Sequence, residues 1–346
     1  MSTAPPSPIA GARGDRRALS GPVALALAAA ALVVAAGAGL MLGSATVGAA
    51  EVLSALTAFD GSAEHVTVVD VRLPRIVVAA VVGAAAAVAG ALMQALTRNP
   101  LAEPSLLGIS WGAALAVVVA QVVAGIGSAA ALVPVAIAGA ATAGLAIVAL
   151  GATSRAGLTA ERLIVAGAAV SGLLAALVQG LLVLDRESLE VGRRWLAGSL
   201  TGASWDALVA ALPYLLAGAA LSVWLVRPLS TLALGEDVAR GLGARPGLIK
   251  GAAAAAVVTL AGGSVALVGP LILVGLAVPH AARALVGRDL APLLPACALL
   301  GAILVIVSDI LARVVVAPEE LPIGVLTALV GAPVLLHVAR RGAVGA

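Results

Sequence analysis

Ten long apolar runs dominate this chain of 346 residues. Each run spans about 16 to 22 residues, and an α-helix needs about 20 residues to cross a hydrocarbon core of about 30 Å. Charged residues make up only 11% of the chain, whereas a soluble domain carries about 25%. The sequence therefore predicts an all-α integral membrane protein with about ten transmembrane helices.

Charged residues and clusters of Gly and Pro bound the apolar runs. The eighth run is short because Pro279, His280 and Arg283 interrupt it. The predicted spans are residues 23–42, 76–96, 106–123, 130–150, 163–184, 207–226, 251–268, 271–286, 290–311 and 321–339.

The distribution of basic residues predicts how the spans are oriented. An even number of crossings places both termini on one side, and Lys and Arg concentrate in cytoplasmic loops. If the N-terminus is cytoplasmic, most of the 20 basic residues lie inside, so both termini are predicted to be cytoplasmic. The polar segment between the first two spans, about residues 43–75, is then predicted to be an outer loop. Residues 1–20 are predicted to be a disordered tail, and residues 21–346 a single ten-span domain. The first run is too long for a signal-peptide core and is predicted to remain as a span.

The sequence lacks the motifs of an enzyme. The only lysine, Lys250, follows Ile249 and cannot belong to a GxxxxGK[ST] phosphate loop. One cysteine, Cys297, and three scattered histidines give neither a disulfide framework nor the ligand spacing of a metal site. We therefore expect a chain that is not an enzyme and binds no cofactor or metal, with any ATP hydrolysed by another subunit.

An ion-coupled secondary transporter is the alternative from another functional class. Such proteins bury Asp, Glu or His in their spans as ion or proton sites. The clearest intramembrane carboxylate here is Asp309, and Arg313 follows it by one helical turn, so an i,i+4 ion pair is the simpler interpretation. The scarcity of other mid-span carboxylates disfavours this alternative, which predicts uptake driven by an ion gradient without ATP.

Residues 71–115 form the most distinctive stretch of the chain. Small residues at Gly83, Ala87 and Gly90 form a stripe that allows another helix to approach closely. Asn99 and Pro100 then end the second span, since the residue before a proline is disfavoured in the α conformation.

Several motifs resemble, in their order, the permease subunits of ABC importers for iron–siderophore, haem and cobalamin. The motifs are RLPR, RNPLAEPSLLGISWGA, LGEDVARGLG, VGLAVPHAAR, SDILAR and ELPIGVLTALVGAP, and the resemblance covers about residues 71–340. It implies a ten-span subunit of the cell membrane that pairs with a second permease, as a homodimer or a heterodimer. It also implies two cytoplasmic ATPase subunits and an extracytoplasmic substrate-binding protein as partners. A ferric siderophore is the expected ligand, with cobalamin and haem as alternatives.

Within the inner loop, about residues 227–250, the sequence predicts one short amphipathic helix over residues 234–242. Gly235 precedes two carboxylates at the helix N-terminus, and Gly241 and Gly243 can close the helix. The residues alone leave open whether this helix is a docking surface or a solvated connection. Its similarity to the coupling segment of the family implies docking onto an ATPase subunit through Leu234, Gly235, Glu236, Ala239, Leu242 and Gly243.

Three arginines, Arg72, Arg75 and Arg313, are predicted on the outer side, where basic residues are under-represented. Arginine suits bidentate contact with carboxylates. In similar permeases, arginines at these motif positions contact acidic residues of the binding protein, so the resemblance implies that these three dock it. The alternative is interfacial snorkelling, or pairing with Asp70 and Asp309.

The fifth predicted span carries small residues over 166–172, which indicates close helix packing. The resemblance implies that this helix also borders the central pathway, with the preceding turn near the inner gate. The pathway residues predicted in this way are Thr159, Ala160, Gly167, Ser171 and Gly172. His280 is predicted to be structural.

Overall fold

The computed structural model describes residues 21–43, 45–105, 108–152, 160–184, 195–317 and 319–343. Every regular element in these ranges is a helix. The predicted N-terminal tail, residues 1–20, and the predicted pathway residue Thr159 lie outside the described residues.

Fourteen helical elements follow one another along the described residues. They are α1 (Gly21–Met41), α2 (Ala49–Thr57), α3 (Ala63–Val66), a π-helical turn (Thr67–Arg72), α4 (Leu73–Thr97), α5 (Ile109–Val122), α6 (Ala129–Ala152), α7 (Ala160–Leu184), α8 (Trp205–Ala233), α9 (Glu236–Gly241), α10 (Pro246–Val268), α11 (Val274–Val286), α12 (Leu290–Val314) and α13 (Ile323–Ala343).

Seven helices of the described chain are long and apolar enough to cross a membrane. Three shorter apolar helices, Ile109–Val122, Val274–Val286 and Ile323–Pro333, coincide with the other three predicted runs. The predicted all-α fold with multiple apolar helices is confirmed. Each long apolar run of the sequence has its own helix, with ends that differ from the predicted ones by a few residues.

The segment predicted as a polar outer loop, residues 43–75, is largely helical instead. It holds α2, α3 and the π-helical turn, and α3 to α4 form one apolar helical stretch of 35 residues, Ala63–Thr97. The polar residues that suggested a loop stabilise helices here. Ser62 is an example, because its Oγ accepts a hydrogen bond from the backbone N–H of His65 and caps α3.

Helix α4 lies at the centre of the bundle and packs through glycines against α11 and α12. A Cβ atom added at Gly83 would overlap the carbonyl oxygen of Gly301 in α12, and one added at Gly90 would overlap that of Gly275 in α11. The predicted small-residue stripe therefore brings backbones into direct contact, as small residues do in membrane bundles. Gln94 on the same helix donates a hydrogen bond of 3.1 Å to the Gly275 carbonyl.

Two helices, α5 and α11, begin inside the bundle, after irregular segments that are buried over residues 102–105 and 269–271. Helix α11 begins beside Gly90, about two thirds of the way along α4, and the chain enters it through Leu273 at a positive φ of 69°. Glu103, in the segment before α5, lies with its Cγ 3.5 Å from the position of a Cβ on Gly275. Irregular backbone at membrane depth is tolerated where protein rather than lipid surrounds it.

Candidate functional site

The three predicted outer arginines lie together at the end of the bundle where α1 ends and α4 begins; we call it the arginine end. Arg72 donates hydrogen bonds to the carbonyls of Leu40 and Met41, at 2.7 and 2.9 Å. Arg313 donates to the carbonyls of Leu42 and Gly39, at 3.0 and 3.3 Å. The last carbonyls of a helix have no partner within it, so these two arginines complete the C-terminus of α1.

Arg75 holds two carboxylates that come from distant parts of the chain. Its Nε and Nη2 lie 2.8 and 2.7 Å from Oδ1 of Asp309, which is 1% exposed. Its Nη1 and Nη2 bind the two oxygens of Glu320 at 3.0 and 2.9 Å. Thr201 donates a further hydrogen bond of 3.0 Å to Glu320. The network therefore joins α4, α12, the segment before α13 and the segment before α8.

The predicted pair between Asp309 and Arg313 is confirmed, with Nη2 of Arg313 3.0 Å from Oδ2 of Asp309. Arg72, Arg75 and Arg313 are all buried and all bind groups of this same chain. Pairing with Asp309, one of the alternatives to docking, is thus present for two of them. Contact of these arginines with a binding protein stays a prediction.

A buried histidine at the arginine end was not singled out by the sequence analysis. His65 is 1% exposed, and its Nε2 lies 3.0 Å from Oε1 of Glu51 while its Nδ1 lies 2.8 Å from Oδ1 of Asp60. A hydrogen bond from the backbone N–H of Ser62 holds the pKa of Asp60 below its ordinary value. The cluster joins α2 and α3 within the segment between α1 and α4.

Helix α9 lies at the opposite end of the bundle, which we call the α9 end. It begins after Gly235, which has a φ of 116°, and Gly243 beyond it has a φ of 81°. The amphipathic helix predicted over 234–242 is confirmed as a helix over Glu236–Gly241. Ala239 is fully buried, whereas Leu234 and Leu242 are 65% and 67% exposed. An apolar anchor therefore holds a helix whose exposed leucines are available to a partner.

Glu236 connects α9 to the beginning of α10. Lys250 donates a hydrogen bond to Oε1 of Glu236, and Arg240 lies 3.2 Å from its Oε2. The hydrogen bond from Lys250 holds the pKa of Glu236 below its ordinary value of 4.5. A lowered carboxyl pKa means that the pair is complete above pH 4.5 and is lost as the pH falls through the pKa of the folded state. The only lysine of the chain thus has a structural partner at neutral pH.

Arg98 ties the end of α4 to the same region. It adopts a left-handed conformation with a φ of 51° as α4 ends, and its Nη2 donates a hydrogen bond of 2.6 Å to the carbonyl of Leu232 in the last turn of α8. Helix α9 is therefore connected to α8 by the chain, to α10 by an ion pair and, through α8, to α4.

If α9 docks onto an ATPase subunit, as the resemblance implies, Glu236→Arg is expected to lower the ATPase activity of the assembled complex by about threefold or more, with the amount of this chain in the membrane unchanged. The new arginine would stand between Lys250 and Arg240 and repel both, so α9 would separate from α10. The measurement is ATP hydrolysis by the reconstituted complex with its binding protein.

Asp237→Arg is the matched control for this substitution. Asp237 is almost fully exposed and pairs with Arg240 but not with Lys250. The double variant Glu236→Arg, Lys250→Glu restores opposite charges and should recover activity. An equal loss in Asp237→Arg, together with no recovery in the double variant, would contradict the assignment of Glu236.

Only some of the predicted pathway residues of α7 lie against other parts of the bundle. Gly167 is buried, Ser171 lies near Gly108, where α5 begins, and no atom lies within 4 Å of a Cβ added at Gly172. Ala160 is the first residue of α7. Their role in a pathway stays a prediction.

A separate groove of about 640 Å³ runs along α13. Its ten lining residues include no charged side chain and are Leu196, Ala197, Pro270, Ile272, Gly324, Val325, Ala328, Leu329, Ala332 and Pro333. Val325 and Leu329 are 47% and 63% exposed. The groove therefore offers an apolar wall that the sequence analysis, which placed the pathway on α7, did not identify.

Glu103 is a second buried group that the sequence analysis missed. It is 2% exposed and lines an internal cavity of about 20 Å³ together with Ser105, Ser110 and Ser264. Such a cavity can hold about one water molecule, which would complete the hydrogen bonding of these side chains.

The similarity to known proteins extends over the whole helical bundle and is not confined to one site. The model of the FecCD transport family matches residues 29–341. The chain is 46% identical to "Probable siderophore transport system permease protein YfiZ" of Bacillus subtilis, over 85% of this chain and 88% of the relative. It is 39% identical to the ferric enterobactin transport system permease protein FepD of Escherichia coli, over 90% and 92%. A solved structure of a metal-chelate type ABC transporter in an inward-facing conformation superposes with a TM-score of 0.79, at 29% identity, over 92% of this chain and 99% of that one.

Proposed function

The chain belongs to the FecCD transport family, and on that premise we propose that it carries ferric siderophores inward. It is a multi-pass membrane permease subunit of an ABC importer and not an enzyme, because a separate ATPase subunit hydrolyses the ATP. An ATPase and a substrate-binding protein are its partners. The names of the relatives in Bacillus subtilis and Escherichia coli support an iron chelate as the substrate.

We propose that all ten apolar helices cross the membrane within a single domain, with both termini in the cytoplasm. Basic residues support this orientation, because Arg98, Arg227, Arg240, Arg245 and Lys250 all belong to the α9 end of the bundle. Loops rich in Lys and Arg stay on the cytoplasmic side of a membrane. The arginine end then faces outward and α9 faces the cytoplasm.

The observation that carries the substrate proposal is the apolar groove along α13. A siderophore complex is large, and a wall without charged side chains can let it pass without binding it tightly. We propose that two permease subunits, identical or related, face each other and enclose the pathway between such walls. Deep carboxylates of the kind that bind a coupling ion are not among the groove residues.

We propose that the binding protein docks at the arginine end and that the ATPase contacts α9 through the residues around its exposed leucines. Because Glu236 links α9 to α10, and Arg98 links the last turn of α8 to α4, a displacement of α9 would move these helices together. Coupling would then be a rigid-body motion of packed helices rather than a local change.

ATP-dependent uptake into vesicles tests this function. The vesicles hold the permease with its ATPase and receive a binding protein loaded with labelled ferric siderophore, cobalamin or haem. We expect uptake of the ferric siderophore only, and none when the phosphate-loop lysine of the ATPase is replaced. Uptake of cobalamin or haem instead would overturn the substrate, and uptake driven by a proton or sodium gradient without ATP would favour a secondary transporter.

A further inference from the structure

A second groove, of about 390 Å³, lies at the α9 end between α8 and the beginning of α10. Its lining includes Trp224, Arg227, Pro228 and Thr231 from α8, Gly243 and Arg245 from the segment between α9 and α10, and Leu248 from the first turn of α10. Two guanidinium groups from separate segments of the chain thus border one groove, and no carboxylate is among its lining residues.

The two arginines differ from the other basic residues around them. Arg98 binds a carbonyl, and Arg240 and Lys250 bind Glu236. Arg227 and Arg245 are exposed, and neither side chain has an ion-pair or hydrogen-bond partner within the described part of the chain. Both charges are therefore available to an anionic ligand.

The face of α8 that leads to this groove is apolar and exposed. Val209, Leu216 and Val223 are spaced seven residues apart, so they lie along one face of the helix, and they are 64%, 59% and 72% exposed. Arg227 follows Val223 by one further turn on that face. Trp224, half exposed beside it, is the residue type that sits at the level of the lipid headgroups.

The groove therefore has apolar surface on its membrane side and positive charge at the edge that lies farther from the centre of the membrane. Leu248 of α10, 56% exposed, adds apolar surface next to Arg245. Pro228 has no backbone N–H, so the carbonyl of Trp224 lacks its donor within the helix and can accept a hydrogen bond from a headgroup hydroxyl. These features match a molecule that has acyl chains, a phosphate and a polar headgroup.

We propose that this groove binds an anionic phospholipid, with the phosphate between Arg227 and Arg245 and the acyl chains along α8. Guanidinium groups bind phosphate oxygens in a bidentate manner, and basic pockets between transmembrane helices bind anionic headgroups. An acidic side chain of the ATPase is the competing ligand. Gly243, one of the predicted ATPase-docking residues, also lines this groove, but the lipid is favoured because Arg227 continues the exposed apolar face of α8.

Native mass spectrometry of the permease–ATPase complex tests the proposal. The detergent-purified complex is titrated with phosphatidylglycerol, phosphatidylcholine or glycerol 3-phosphate. We expect phosphatidylglycerol to be retained in preference to phosphatidylcholine. Arg227→Gln and Arg245→Gln should each raise the phosphatidylglycerol concentration for half occupancy by about fivefold. Arg288→Gln, which removes an exposed arginine outside this groove, is the matched control and should leave that concentration unchanged.

Three outcomes would overturn the proposal. Equal retention of phosphatidylcholine would show that the charge of the lipid does not determine its binding. Equally tight binding of glycerol 3-phosphate would indicate a site for free phosphate. Loss of the ATPase from Arg227→Gln or Arg245→Gln, with lipid retention unchanged, would assign the arginines to the protein partner. The lipid site requires only that the chain spans the membrane, so these results are independent of which chelate is transported.

Discussion

Arg75→Met is expected to lower the free energy of unfolding by about 3–5 kcal/mol, the usual cost of removing one partner from a buried ion pair. Asp309 is 1% exposed and would keep only Arg313, while Glu320 would lose both of its hydrogen bonds from Arg75. Thermal unfolding of the purified protein in detergent, followed by tryptophan fluorescence, measures the loss. We also expect less protein in the membrane.

Three comparisons separate this effect from a general loss of charge. Asp70→Asn changes an exposed charge in the neighbouring π-helical turn and should leave the midpoint of unfolding unchanged. Arg75→Lys should fall between the wild type and Arg75→Met, because one ammonium cannot bind two carboxylates in a bidentate manner. Adding Glu320→Gln to Arg75→Met should recover part of the loss, because it removes the carboxylate that has lost both hydrogen bonds from Arg75. Unfolding of Arg75→Met at the wild-type temperature would contradict the prediction.

The sequence predicted the helical bundle well because crossing a membrane requires long apolar runs, and such runs can be counted. All ten predicted runs have a helix in the structure. The same criterion failed for the outer segment, residues 43–75. Helices α2 and α3 are short and carry polar residues, so hydropathy alone could not distinguish them from a loop.

The candidate sites were predictable only where the partners are close in sequence. Asp309 and Arg313 are one turn apart on a single helix, so their pair follows from spacing alone. Arg75 and Glu320 are separated by 245 residues, and no periodicity relates them. Glu103 did leave a signal, since it is the only acidic residue between 76 and 123 and stands between two apolar runs. A charge in that position must find buried partners or be neutralised.

Gly90→Ala is expected to prevent stable packing of α4 against α11 and to abolish uptake. The added methyl group would overlap the backbone carbonyl of Gly275, which cannot move away by changing rotamer. Overpacking that a side chain can relieve costs about 1–3 kcal/mol, so displacement of a whole helix should exceed that range. Size-exclusion chromatography and thermal unfolding of the purified protein measure the defect.

Gly37→Ala is the matched control, because Gly37 also lies within a long apolar helix and no atom lies within 4 Å of an added Cβ. This substitution should be neutral or stabilise the helix by about 0.5–1 kcal/mol, since alanine loses less backbone entropy than glycine. Gly83→Ala should behave like Gly90→Ala, because its methyl group would overlap the carbonyl of Gly301. Replacement by alanine is thus expected to destabilise the protein at glycines in backbone contact, such as Gly90, and to leave it unchanged or stabilise it at Gly37. If Gly90→Ala and Gly37→Ala unfold at the same temperature, then direct backbone contact at Gly90 is not what holds α4 and α11 together.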